Sequence, residues 1–171
     1  FRELLFSMVE REIRIRYKNS FFGFFWSLLN PLVTIAVMTV VFKFILDNPM
    51  ESFSSYILAA YLPYMFFQLA ILDSAQSVIA SLPVVKKVYF PREILPLASL
   101  ISNFIHLLLA LMVFFVYRLV LWAIFRGPAP FTSSILLLPI VLLIQLALTV
   151  GVGFIVSALN TFYEDVKYIT A

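Results

Sequence analysis

One histidine, nine acidic residues and four glycines carry most of the chemistry available to this 171-residue chain. His106 lies with Asn103 inside a long apolar run, where a neutral imidazole hydrogen-bonded to another helix is expected, with a proton relay as the alternative. There is no second histidine to complete a metal site. Asp73 falls near one end of another apolar run, and Glu93, Glu164 and Asp165 fall in polar segments, so no two carboxylates are confined together for acid–base work. Gly151 and Gly153 are not followed by the Gly-Lys-Ser/Thr that cradles nucleotide phosphates, so ATP binding through a P-loop is excluded. Cysteine is absent, which removes disulfides and thiolate ligands. The chain is therefore expected to have no catalytic residues, no metal and no nucleic acid partner.

The elements that hold these residues follow from composition: 63% of the chain is hydrophobic and only 12% is charged. A water-soluble fold of this length could not hide so much apolar surface, and the polar residues gather in short stretches instead of alternating. An all-α, polytopic transmembrane helical bundle is predicted. Four apolar stretches, 21–46, 56–76, 97–125 and 135–160, each reach the roughly 20 residues that cross a hydrocarbon core. Asp47, Asn48 and Pro49, then 83–96, then Arg126, Gly127 and Pro128 punctuate them. A single transmembrane domain is expected over 1–171, with no signal peptide and no internal repeat.

If four spans alternate, Arg2, Arg11, Arg14, Arg16, Lys18, Lys86, Lys87, Arg92 and Lys167 share one side, against Lys43, Arg118 and Arg126 on the other. Basic residues resist translocation, so the richer side is cytoplasmic and both ends of this sequence face inward. Lys43 and Arg118 are expected to snorkel to the outer headgroups. Residues 1–20 are too short and too charged to span. Leu5, Val9, Ile13 and Tyr17, reinforced by Met8, form an apolar stripe opposite Glu3, Ser7, Glu10, Arg11, Arg14 and Lys18. This predicts an amphipathic interface helix, its stripe toward acyl chains and Arg11, Arg14, Arg16 and Lys18 near anionic lipid, with Glu10–Arg14 and Glu12–Arg16 as i,i+4 pairs. It serves either as a simple anchor or also as a contact for a cytoplasmic partner.

The segment from Leu82 to Pro96 is too short for a domain and too featured for a passive linker. Pro83 and Pro91 leave room for about two helical turns carrying Val85, Val88 and Tyr89 on one side and Lys86 and Lys87 on another. On physical grounds it is either an interfacial turn or a short helix that transmits a push. Aromatics supply the other distinctive feature. Tyr56, Tyr61, Tyr64, Phe66 and Phe67 cluster in the outer half of the second predicted span, as an interface belt or as rings that pack on sugar faces.

Val85-Lys-Lys-Val-Tyr-Phe-Pro-Arg-Glu-Ile-Leu-Pro96 closely resembles the segment after the second span in the membrane subunits of ABC-2 polysaccharide exporters, the permeases for O-antigen, teichoic acid and capsular glycans. Arg16-Tyr-Lys18, Gly23, Trp26, Ser27 and Leu29-Asn-Pro31 resemble the family's first span. Tyr61-Leu-Pro-Tyr64 with Phe66-Phe67 resembles its second, and Ser157-Ala-Leu-Asn160 with Asp165-Val-Lys-Tyr168 its next cytoplasmic turn. The resemblance implies a bacterial cytoplasmic (inner) membrane subunit of an ATP-driven exporter, paired with a second copy of itself around a path for a lipid-linked polysaccharide. ATP and Mg would belong to a separate cytoplasmic ATPase, not to this chain. It assigns 82–93 as a cytoplasmic coupling helix, with Val85, Lys86, Lys87, Val88, Tyr89, Phe90, Pro91, Arg92 and Glu93 against the ATPase and Tyr89, Phe90 and Arg92 as anchors. Glu164, Asp165 and Lys167 would form a second cytoplasmic contact, Glu164 departing from a position often basic in the family. Family members continue further, so the chain is expected to lack the C-terminal part. An exporter of a small amphiphile or drug, or a non-transporting glycan-assembly protein, are the alternatives.

Overall fold

A computed structural model describes residues 2–17, 23–42, 53–82, 91–125, 133–163 and 165–166. Among the described residues five α-helices follow one another: α1 (Arg2–Tyr17), α2 (Gly23–Val40), α3 (Phe53–Ala80), α4 (Ile94–Phe125) and, after a 3-10 turn at Ser133–Leu137, α5 (Leu138–Phe162). No strand occurs among the described residues. In lipid every backbone polar group needs an internal partner, and a continuous helix supplies all of them within one segment. Ser55–Ala80, Ile94–Ile124 and Ile135–Phe162 are long and apolar enough to cross a membrane. The remaining predicted span, 21–46, contains α2, whose 18 residues carry no charge and run helically through Pro31.

Helix ends explain most of the differences in boundary. α4 begins at Ile94, three residues ahead of the predicted start, because Pro96 falls in the first turn, where its missing N–H is not required. Pro139 opens α5 in the same way. Pro63, by contrast, stands inside α3 and the helix continues past it.

The chain divides into two compact units. The first comprises Phe1–Arg16, Phe66–His106 and Ser133–Ala171; the second comprises Tyr17–Met65 and Leu107–Thr132. α3 and α4 each contribute a stretch to both. In the first unit the buried set is dominated by small and polar side chains: Ala70, Ser74, Ala75, Ala98, Ser99, Ser102, Asn103, Thr149, Ser157 and Asn160. Thr149, Gly153, Ser157 and Asn160 recur at helical spacing and mark the buried stripe of α5, while Ile140, Val141, Leu143, Ile144, Leu148 and Ile155 remain exposed on it. Gly153 permits the close approach: a Cβ there would lie 2.9 Å from Leu100 Cδ2 and 3.1 Å from Ser74 Oγ. The Asn160 amide donates to the Ala75 carbonyl at 2.8 Å, locking α5 to α3. Small residues with interhelical hydrogen bonds are the packing expected where lipid removes the hydrophobic drive between helices.

The second unit is built from larger apolar groups. Leu58, Leu62, Leu107, Ala110 and Leu111 are buried. A cavity of about 20 Å³ remains between Leu32, Leu58, Leu62, Ala110, Val113, Phe114 and Tyr117, room for about one water. The Arg118 guanidinium is half-buried and donates to Ser55 Oγ at 3.4 Å, a weak bond to the first turns of α3.

Candidate functional site

α1 is helical for ordinary local reasons: Glu3 in its first turn and Arg14 and Arg16 in its last complement the helix dipole. The expected Glu10–Arg14 pair forms at 2.6 Å, but both groups are exposed, so it contributes a few tenths of a kcal/mol at most. Protein covers the expected apolar stripe only in part, with Val9 buried and Leu5, Met8 and Ile13 half-buried. Val9 is buried, and with Leu5 and Ile13 it lines a groove of about 540 Å³ that also touches Ile101 and Ile105 of α4; Phe6 is left 75% exposed.

Arg16 departs further from expectation. It does not pair with Glu12. Its Nη2 donates to Asp73 Oδ2 on α3 at 2.6 Å and its Nη1 donates to Asn103 Oδ1 on α4 at 2.9 Å. Asn103 closes the triangle, since its Nδ2 donates to Asp73 Oδ2 at 2.9 Å and to the Ser99 carbonyl at 3.0 Å. Arginine has no acceptor, so the amide oxygen must face it and both amide hydrogens are then used. Asn103 is 2% exposed, whereas the Arg16 and Asp73 side chains are 29% and 38% exposed. The charge pair is thus partly hydrated, and its stabilisation is on the order of 1–2 kcal/mol, with the buried amide giving it a fixed geometry.

This triangle was not legible as a site. Its members are separated by 57 and 87 positions, and Asn103 reads most simply as a companion of His106. The available signal was an Asp and an Asn at the margins of two apolar runs with a basic residue just outside them, since an ionisable group there requires a partner. Among the described residues no three His, Cys, Asp or Glu side chains gather as metal ligands.

Of the predicted coupling segment, Val85, Lys86, Lys87, Val88, Tyr89 and Phe90 lie outside the described residues. Pro91, Arg92 and Glu93 form the turn that leads into α4. Their carbonyls accept from the N–H groups of Ile94 at 3.2 Å, Leu95 at 3.2 Å and Leu97 at 3.3 Å respectively. Arg92 and Glu93 are exposed, while Ile94, Leu95 and Ala98 immediately after them are buried. The turn is therefore bonded directly to a fixed part of the first unit. Asp165 is exposed just after α5; Glu164, Lys167 and Lys18 lie outside the described residues. Arg11 and Arg14 are exposed.

The five aromatics singled out on α3, from Tyr56 to Phe67, do not share one environment. Tyr56 and Tyr64 are 71% and 59% exposed, and Tyr61, half-buried, sits 6.5 Å ring to ring from Tyr64. Phe67 is half-buried. Phe66 is enclosed, edge-on to Phe104 at 5.7 Å, and acts as a packing residue of the first unit.

Comparison with known proteins agrees with a helical membrane subunit. The chain is 29% identical over 171 residues to the O-antigen export system permease protein RfbA of Myxococcus xanthus, covering all of this chain and 64% of that protein. A protein of the same name from Klebsiella pneumoniae is 28% identical over 165 residues, covering 96% of this chain and 62% of its own length. The chain thus spans a little under two thirds of the length of these curated relatives. The sequence profile of the family described as ABC-2 type transporter matches residues 3–171, essentially end to end across all five helices. With a bundle of long apolar helices and a match of that extent, the chain belongs to the ABC-2 type transporter family.

Proposed function

We propose that this chain forms the larger part of the membrane-spanning subunit of an ATP-driven exporter that moves a lipid-linked polysaccharide across a bacterial cytoplasmic membrane. The observation that carries this reading is the match along nearly all of this chain to relatives named as O-antigen export permeases, with three of the described segments able to span. A separate cytoplasmic ATPase binds ATP and Mg and supplies hydrolysis. Two copies of the subunit enclose the path, and residues 1–20 and the segments 83–93 and 163–171 lie on the cytoplasmic side, where the basic residues concentrate. The ATPase meets 82–93, and Pro91, Arg92 and Glu93 pass its motion to α4 through the turn bonds described above. Asp165 belongs to a second contact, and Tyr56, Tyr61 and Tyr64 give the sugar chain flat, weakly holding surfaces.

Depletion of the full-length subunit in its native bacterium tests the substrate. Lipid-linked polymer is expected to accumulate on the inner leaflet while surface glycan disappears. Unchanged surface glycan would overturn the reading and favour a small amphiphile as cargo. Affinity purification of the subunit is expected to bring down a P-loop ATPase, and replacement of Arg92 by alanine to weaken that association; retention of both association and export would remove Arg92 from the coupling surface.

A further inference from the structure

Four charged side chains share one open cleft of about 370 Å³ beside the Arg16 triangle: Arg11, Glu12, Arg16 and Asp73. Two are basic and two acidic, yet only one cross-pair is made. Arg16 reaches Asp73 at 2.6 Å, while neither Arg11 nor Glu12 has an ion-pair partner among the described residues. Glu12 stands four residues before Arg16 on α1, the spacing and order in which Glu and Arg pair most readily. The same helix makes that pair one step earlier, where Glu10 holds Arg14 at 2.6 Å. Arg16 therefore has two carboxylates available to it, one on its own helix and one on α3.

We propose that Arg16 is a two-position switch. Bound to Asp73 and Asn103 it fastens the last turn of α1 to α3 and α4. Bound to Glu12 it lets α1 go, leaving Asp73 to Arg11 and to water across the same cleft. Three features support two discrete states over a single fixed staple. The four charges balance in either pairing, so exchange strands no net charge. Asp73 is 38% exposed and remains hydrated when Arg16 leaves. Asn103, fully engaged only when Arg16 is present, biases the equilibrium toward the fastened state. A minor released state of this kind is what a coupling event elsewhere in the subunit can select. That last step rests on the export reading above, in which Arg16 is a positioning residue for the movement of α1.

The test reads the amide hydrogen exchange of residues 2–17 in the full-length subunit, reconstituted in lipid vesicles, with glycan export measured separately in cells. Asp73→Asn removes the fastened pairing, and exchange is expected to rise about tenfold. Glu12→Gln removes only the released pairing, so exchange is expected to slow about twofold, the size of one i,i+4 pair. Glu10→Gln deletes an equivalent pair on the same helix that has no part in the switch, and it should leave exchange unchanged or slightly faster. The opposite sign at Glu12 is the signature, because a plain staple would make Glu12 silent. Glu12→Gln that exchanges as fast as the unmutated subunit, or faster, overturns the switch even if Asp73→Asn fails to fold. Export is expected to fall in both Glu12→Gln and Asp73→Asn, since one cannot release and the other cannot fasten. An unmutated subunit that exports no glycan would refute the transport reading and leave the exchange result standing.

Discussion

The two compact units are stabilised by different means although α3 and α4 pass through both. In the first, Gly153 brings α5 against Leu100 and Ser74, Asn160 bonds to the Ala75 backbone, and Asn103 ties Asp73 to Arg16. In the second, Leu58, Leu62, Leu107 and Leu111 are the buried groups, and a small void remains beside Leu58 and Leu62. Leucine is as comfortable in lipid tails as against another leucine, so apolar contacts alone discriminate weakly between the assembled and separated helices. A glycine contact and directed amide bonds have no equivalent in lipid. The first unit is accordingly specified in register, and it is the one to which α1 and the turn at Pro91 to Glu93 are attached.

Substitutions can break this contrast, beginning with the largest effect. Gly153→Leu should destabilise the subunit by about 3 kcal/mol, since even a Cβ there falls within 3.1 Å of Leu100 and Ser74, both fully enclosed, and a leucine adds three more carbons. Gly151→Leu, two positions away and open to its surroundings, should be near neutral; thermal unfolding of the two variants in the same detergent compares them. Asn160→Ala should cost roughly 1–2 kcal/mol by removing a buried interhelical hydrogen bond to the Ala75 carbonyl and the volume of the amide. Leu62→Ala in the second unit should cost less than its soluble-protein range of about 2–5 kcal/mol, because only packing and cavity terms remain when the separated helices stay in lipid. If Leu62→Ala proves more damaging than Asn160→Ala by steric trapping in bilayers, the proposed division between the units is wrong. Arg14→Ala should change stability by no more than about 0.5 kcal/mol, its partner Glu10 being exposed.

How much of this could be read in advance depends on the range of the interaction. Helix identity was legible, because apolar run length is a local property and lipid forbids most alternatives. Boundaries moved where a proline sat in a first turn, as at Pro96, and where Ser77 and the residues after it carry α3 on to Ala80, past the predicted apolar run. The amphipathic pattern of α1 was legible too, but pattern does not say whether protein or lipid covers the stripe, and here Val9 is buried while Leu5 and Ile13 border an open groove shared with Ile101 and Ile105. The Arg16 triangle was hidden because a local partner, Glu12, satisfied the same arithmetic as the distant one. Motif resemblance reached the segment 82–93, of which the structure describes Leu82 and the Pro91–Glu93 turn, and so most of its role stays with the proposal.

The stripe of Thr149, Gly153, Ser157 and Asn160 also bears on how the protein is made. Ribosomes deliver α3 and α4 before α5, so the recess of Ser74, Ala75 and Leu100 is present in the bilayer before the helix that fills it is synthesised. During that interval the recess is lined by side chains already bonded within their own helix, Ser74 Oγ to the Ile71 carbonyl and Ser77 Oγ to the Ser74 carbonyl, so it can wait in lipid without an unpaired polar group. Docking of α5 then adds the close contact at Gly153 and the Asn160 bond to the Ala75 carbonyl, so the packing of the first unit is complete only when the last described helix has been made.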